Sequence, residues 1–103
     1  MAKKKLDAAS VRNRVVEVRK VKFGDVKGHP TNPKDHIDYQ RNVFRDAVEF
    51  VGFGTVPVAY HSELNGGALT WVDGHLRGDE LPGYEGEVAI LDITDEEAAF
   101  MLS

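Results

Sequence analysis

The fold turns on "ALTWVDGHLRGDEL", Ala68 to Leu81, where an apolar run of β-forming residues stops at Asp73-Gly74 and polar residues at helix-compatible spacing begin. Val72 and Trp71 suit a buried strand, and Asp-Gly breaks one. A strand that passes so directly into a helix is the unit of a layered α and β fold. The corner also gathers an acid, a glycine, an imidazole and a guanidinium within five residues. Such a cluster reads in two ways: as an Asx-type turn with Arg77 on the surface, or as a seat for an anion.

Working outward, strands and helices alternate. Downstream, "EVAILDI" (87–93) is a last strand. Thr94-Asp95-Glu96-Glu97 is a capping box in which Thr94 accepts from the Glu97 amide and Glu97 reaches back. A helix therefore starts there, and a helix so short at Ser103 suggests a piece of a longer protein. Upstream, Asn65-Gly66-Gly67 predicts a tight hairpin between "TVPVAYHS" (55–62) and the strand beginning at Ala68. Pro57 marks an edge or strand-start position. From about Lys34 to Val51, the residues Ile37, Phe44, Ala47, Val48 and Val51 recur at helical spacing, with Pro33 at the first turn and Gly52 and Gly54 beyond the end. Residues 14–23, "RVVEVRKVKF", alternate as a half-exposed first strand. The stretch "GDVKGHPTNPKD" that follows reads as a loop. A third, short helix spans about His75 to Leu81. The expected fold is α+β (α/β), a small mixed sheet of about four strands with three helices. It occupies residues 14–103 behind a flexible basic arm, 1–13.

Composition narrows the chemistry. The 103 residues suffice for one core, and 42% hydrophobic with 29% charged is the mix of a soluble globular domain. No apolar run spans a bilayer and no apolar core follows the first lysines, which predicts a cytoplasmic protein without membrane partners. With no cysteine, thiolate catalysis, disulfides and cysteine zinc sites are excluded. The net charge of −4 conceals a polarity. Residues 1–34 carry ten Lys/Arg against three Asp/Glu, and residues 35–103 carry three against fourteen. The first segment reads either as a solvated arm or as one that touches nucleic-acid phosphates.

At the opening corner, the first amides of a helix, its dipole and a glycine that admits close approach can bind an anion. Arg77 adds a planar fork suited to phosphate, and His75 can donate to phosphate or exchange a proton near neutral pH. Asp73 can orient either side chain or hold a divalent metal beside a nucleotide. Neither G-x-x-x-x-G-K-[ST] nor G-x-G-x-x-G is present. A second polar group, His29, Asp35, His36 and Asp38, lies in and after the Asn-Pro loop. It reads as a metal or base cluster or as an ordinary polar loop and acidic helix start. Asn32 is expected to cap that loop, Trp71 to belong to the core, and His61 to be a strand-end polar residue.

The order "VPVAY…ALTWVDGHLRGDELPGYEGEVAILDITDEEAAFML", with "NPKDHIDYQRNVFRDAVEFVGFGTVPV" before it, resembles the ParB/sulfiredoxin superfamily. The D-G-H-x-R box is the most specific part of the likeness. The form here is similar to the ParB-like N-terminal (ParB-like nuclease) domains of phages and of proteins linked to DNA methyltransferases. The resemblance implies a nucleotide-binding box at Asp73, Gly74, His75 and Arg77, with ATP or CTP, and Mg2+ where Asp73 or His36 helps, as the ligand. It implies DNA as a partner through a fused or associated domain, and it leaves homodimerisation open. Sulfiredoxin activity requires a cysteine that is absent. The Glu-Arg-Arg box and helix-turn-helix of partition proteins are also absent. The alternative is an enzyme in its own right, a metal-dependent nuclease or a small-molecule phosphotransferase, with His36, Asp38 and His75 as candidate catalytic residues. Gly78 and Glu80 depart from the Ala-rich continuation usual in these helices, which predicts a frayed short helix.

Overall fold

A computed structural model describes residues 5–31 and 38–102. Its four strands are β1 (Val15–Lys22), β2 (Val58–Ser62), β3 (Ala68–Asp73) and β4 (Glu85–Leu91). Its helices are α1 (Asp38–Phe50), α2 (His75–Glu80) and α3 (Asp95–Leu102). The strands form one mixed sheet in the order β1-β4-β2-β3. β1 runs antiparallel to β4, β2 antiparallel to β3, and β2 parallel to β4. The fold class is therefore the one that the alternation of elements predicts.

Successive strand residues face opposite sides, so the sheet splits its core in two. Ala59, Trp71 and Val88 gather on one face with Phe23 and Val26. Tyr60, Val72 and Leu91 gather on the other, where Ala98 of α3 closes over them. Trp71 is buried as expected, and its ring meets the Phe23 ring edge-on at 5.7 Å.

Several local expectations change. The stretch after β1 is more than a loop. Phe23, only 1% exposed, leaves the strand through a 3-10 turn (Phe23–Asp25) and plugs the core. Lys27 then bonds to the outer edge of β3: its amide donates to the Leu69 carbonyl at 2.8 Å, and the Trp71 amide donates to the Lys27 carbonyl at 2.8 Å. That pairing covers one sheet edge. The other edge, β1, is almost wholly exposed rather than half-exposed. Pro57 stands at a strand start, as predicted, yet β2 is an inner strand. The Pro57 carbonyl still joins the sheet by accepting from the Ala89 amide at 2.9 Å, and the proline, which has no N–H to donate, sits just before the strand's first residue.

The hairpin between β2 and β3 is longer than a two-residue turn. A 3-10 turn (Glu63–Asn65) precedes Gly66, whose φ of +66° closes it. The capping box of α3 forms as predicted. The Glu97 amide donates to Thr94 Oγ1 at 3.1 Å, and the Thr94 amide donates to Glu97 Oε1 at 2.9 Å. Arg14 also donates to both Glu97 oxygens, at 2.8 and 3.0 Å, and to the Asp92 carbonyl, tying β1 to the start of α3. Of the apolar positions read along α1, Phe44 and Val48 are half-buried and Val51 is exposed. Gly52 closes that helix with φ +90°, its amide donating to the Val48 carbonyl at 2.9 Å. Asn32, Pro33, Asp35, His36 and Ile37 lie outside the described residues.

Candidate functional site

The DGHLRG corner is built on Trp71. Gly74 takes φ +141°, a conformation that L side chains rarely adopt, and its carbonyl opens α2 by accepting from the Arg77 amide at 2.9 Å. A Cβ at Gly74 would lie 2.9 Å from Trp71 Cε3, and one at Gly78 would lie 2.6 Å from Trp71 Nε1. Two glycines four residues apart fall on one helix face, so the backbone of α2 lies directly against the indole. The expectation of a frayed helix is corrected by this packing. Gly78 is there because Trp71 leaves no room for a methyl group. Its amide donates to the Gly74 carbonyl at 3.2 Å, and the Leu81 amide donates to the Arg77 carbonyl at 2.9 Å. Glu80, the other departure, holds Arg45 of α1, with Nη2 2.9 and 3.1 Å from its two oxygens.

The four box residues share one open cleft of about 410 Å3. Asp73, Gly74, His75 and Arg77 line it from the end of β3 and from α2, with Thr55 and Pro57 opposite. Phe44 of α1 adds an aromatic wall. Asp73 is exposed at the last position of β3.

Two of these side chains carry internal bonds that spacing could not reveal. Arg77 Nη1 donates to the Thr55 carbonyl at 3.0 Å and Nη2 to Thr55 Oγ1 at 2.8 Å. Its guanidinium lies 4.3 Å over the Phe53 ring. Partial burial lowers the Arg77 pKa, and Asp73 nearby opposes the shift. Those bonds engage two of the five guanidinium N–H donors, leaving three for a ligand. His75 Nε2 accepts the backbone N–H of His29 at 3.1 Å. An accepting Nε2 places the proton of the neutral ring on Nδ1, and Nε2 is already committed to the His29 backbone.

The loop after β1 reaches the box at His29. His29 is 1% exposed, and its ring is stacked on Tyr60 with centroids 6.1 Å apart. Thr31 bonds His29 Nδ1 through its amide at 3.2 Å and its hydroxyl at 2.8 Å. His29 is thus a core histidine whose backbone, rather than its ring, touches the site. Asp38 stands exposed at the first turn of α1, and among the described residues no hydrogen bond joins it to the Asp73–Arg77 segment. His36, proposed as a base or metal ligand, lies outside the described residues. Among the described residues no group of three or more His, Asp or Glu is placed to hold a metal ion. His61, as expected, is an exposed strand residue, its Nδ1 2.9 Å from the Gly67 carbonyl.

Sequence reasoning missed Thr55, whose carbonyl and hydroxyl set the Arg77 fork. The sequence pattern makes Thr55 the first residue of a strand, whereas β2 begins only at Val58 and Thr55 belongs to the glycine-rich turn before it. It also missed Tyr60, Ser62 and Asp95 as a polar group. Tyr60 Oη and Ser62 Oγ donate to Asp95 Oδ1 at 2.7 and 2.6 Å, and these bonds hold the Asp95 carboxyl below its ordinary pKa. The group joins β2 to the first turn of α3. No helix among the described residues is long and apolar enough to cross a membrane. No known family model matches the chain, and none of the curated proteins matches it.

Proposed function

We propose that the cleft bounded by Asp73, Gly74, His75, Arg77 and Thr55 binds the phosphate groups of a nucleotide, ATP or CTP. The domain then serves as a ParB-like nucleotide-binding module of a protein that modifies or partitions DNA. The observation that carries this reading is the convergence of all four box residues on one cleft wide enough for a ligand. Three guanidinium donors beyond those held by Thr55 are the groups such a cleft offers a phosphate. Asp73, exposed on the same wall, is the carboxylate that would meet Mg2+ arriving with the nucleotide. The likeness of the D-G-H-x-R box to that of the ParB/sulfiredoxin superfamily supplies the ligand class.

Calorimetric titration with ATP, CTP and GTP, with and without Mg2+, tests the proposal. Binding below millimolar concentration that is weakened at least tenfold in Arg77→Ala is the expected result. Absence of binding by every nucleotide at millimolar concentration overturns the function. Unchanged affinity in a folded Arg77→Ala variant overturns the site. Because Arg77 also anchors Thr55, Asp73→Asn supplies a variant outside that anchor, and its expected effect is confined to titrations containing Mg2+.

A further inference from the structure

A second cleft, again of about 410 Å3, shares Thr55 and Arg77 with the first. Its lining differs in kind. Phe23, Phe53 and Tyr84 meet there, with centroids 6.0 Å apart for Phe23 and Phe53, 5.3 Å for Phe23 and Tyr84, and 5.2 Å for Phe53 and Tyr84. Phe23 is sealed beneath the others, while Tyr84 is 47% exposed. The Arg77 guanidinium already covers the Phe53 ring, so Tyr84 is the ring that offers open surface. Lys20 of β1 and Glu85 and Glu87 of β4 stand around the rings.

We infer that this aromatic cleft seats the base of the nucleotide whose phosphates occupy the neighbouring cleft, an inference that rests on the phosphate reading of that cleft. The shared wall decides the ligand class. A molecule held at Arg77 by its anionic end reaches the rings with its other end, and a nucleotide joins an anionic end to a planar aromatic one. Base stacking on a protein ring is tolerant of sequence and contributes about tenfold or more in affinity per base. Lys20 faces Glu87 across the β1–β4 register, and the local charge therefore stays near balance instead of repelling an anionic ligand outright.

Tyr84→Ala and Tyr84→Phe, made in the full chain, test the seat against three probes: nucleoside triphosphates, inorganic triphosphate, and the nucleosides adenosine, cytidine and uridine. The expected result is about tenfold weaker binding of ATP or CTP to Tyr84→Ala, with Tyr84→Phe restoring it and inorganic triphosphate unaffected by either change. In the unmodified chain, adenosine, cytidine and uridine at millimolar concentration are expected to shift the ring resonances of Tyr84 and Phe53. Equal nucleotide affinity in the wild type and in Tyr84→Ala overturns the inference. So does the absence of ring shifts with every nucleoside, a measurement that stands even if Tyr84→Ala fails to fold. Failure of the phosphate reading has a different signature: nucleosides shift the rings while inorganic triphosphate does not bind.

Discussion

Replacing Gly78 with alanine separates a frayed helix from one fitted to Trp71. In a helix interior exposed to water, alanine is favoured over glycine by about 1 kcal/mol. A loosely held α2 would therefore gain from Gly78→Ala. The geometry opposes the gain: the new Cβ would lie 2.6 Å from Trp71 Nε1 and 3.5 Å from both Trp71 Cδ1 and the Phe23 carbonyl oxygen. The indole has little room to retreat. Its far edge lies beneath Gly74, where a Cβ would be 2.9 to 3.0 Å away, and Phe23 meets the ring at 79°. Overpacking of a filled core costs about 1–3 kcal/mol. Subtracting the propensity gain leaves a net loss of about 1 kcal/mol, and up to about 2. For a domain of this size, that lowers Tm by about 4–8 °C per kcal/mol. Thermal unfolding followed by circular dichroism reads the shift. The double variant with Trp71→Phe identifies its origin, since a smaller ring removes the clash and Gly78→Ala should then become neutral or stabilising. A Tm for Gly78→Ala at or above the wild-type value, with the native tryptophan present, refutes the packing account.

Further outcomes follow from the same geometry. Arg14 hydrogen-bonds Glu97 and holds its carboxyl at a pKa of about 2, against 4.5 unperturbed. The stability contributed by that carboxylate is therefore complete above pH 4.5 and drains away as pH falls towards 2. Glu97→Gln should flatten the wild-type dependence of urea midpoint on pH in that window, and parallel profiles would remove Glu97 as its cause. Gly74→Ala forces a Cβ to 2.8 Å from Pro57 Cβ at φ +141°. Strain and overpacking together should cost about 3 kcal/mol or more by urea denaturation, and a loss under 1 kcal/mol would contradict the corner geometry. His75→Ala leaves the His29 N–H without its acceptor, which should cost about 1–3 kcal/mol. Faster hydrogen exchange at the His29 amide checks that the loss arises there. Thr55→Val deletes one of the two acceptors of Arg77 and returns a guanidinium donor to the cleft. It should lower Tm while leaving nucleotide affinity equal or higher, and a fall in both would place Thr55 in direct contact with the ligand.

What could be read from the residues was local and chemical. Thr94 and Glu97 are three apart in a pattern whose hydrogen bonds are nearly dictated by helix geometry, so the α3 cap was legible. Asp73-Gly74 marked the end of β3 because glycine is the residue that tolerates φ +141°. The rest depended on partners distant in the chain. Nothing adjacent to Gly78 says that an indole seven residues earlier lies beneath it, so propensity alone made the helix look weak. Lys27 carries no strand signal, yet its two bonds close the outer edge of β3. Arg77 looked like a free fork because its acceptor, Thr55, stands 22 residues away in a turn rich in glycine. His75 looked like a two-sided donor because its partner is a backbone amide, and backbone amides leave no mark in a sequence.

These hidden partners change what the corner can do. A phosphate cannot take the Nη1 and Nη2 donors that face Thr55 without releasing Thr55, since both acceptors of the present arrangement lie on that one residue. Releasing it also moves the turn that holds Phe53 beneath the guanidinium. Two binding modes therefore differ in a measurable way. A ligand that uses only the outward donors leaves the Gly52–Thr55 turn in place and binds with little rearrangement. A ligand that takes the Nη1 and Nη2 donors now held by Thr55 must first displace that residue, and some of its binding energy goes into opening the wall between the two clefts. The second mode carries a further cost, because Phe53 in that turn packs on Phe23, Phe44 and Tyr84, and a swing of the turn must disturb those ring contacts. In that mode, the residue that most resembles a phosphate ligand in the sequence is also the one that, through Thr55, holds the wall shared by the two clefts.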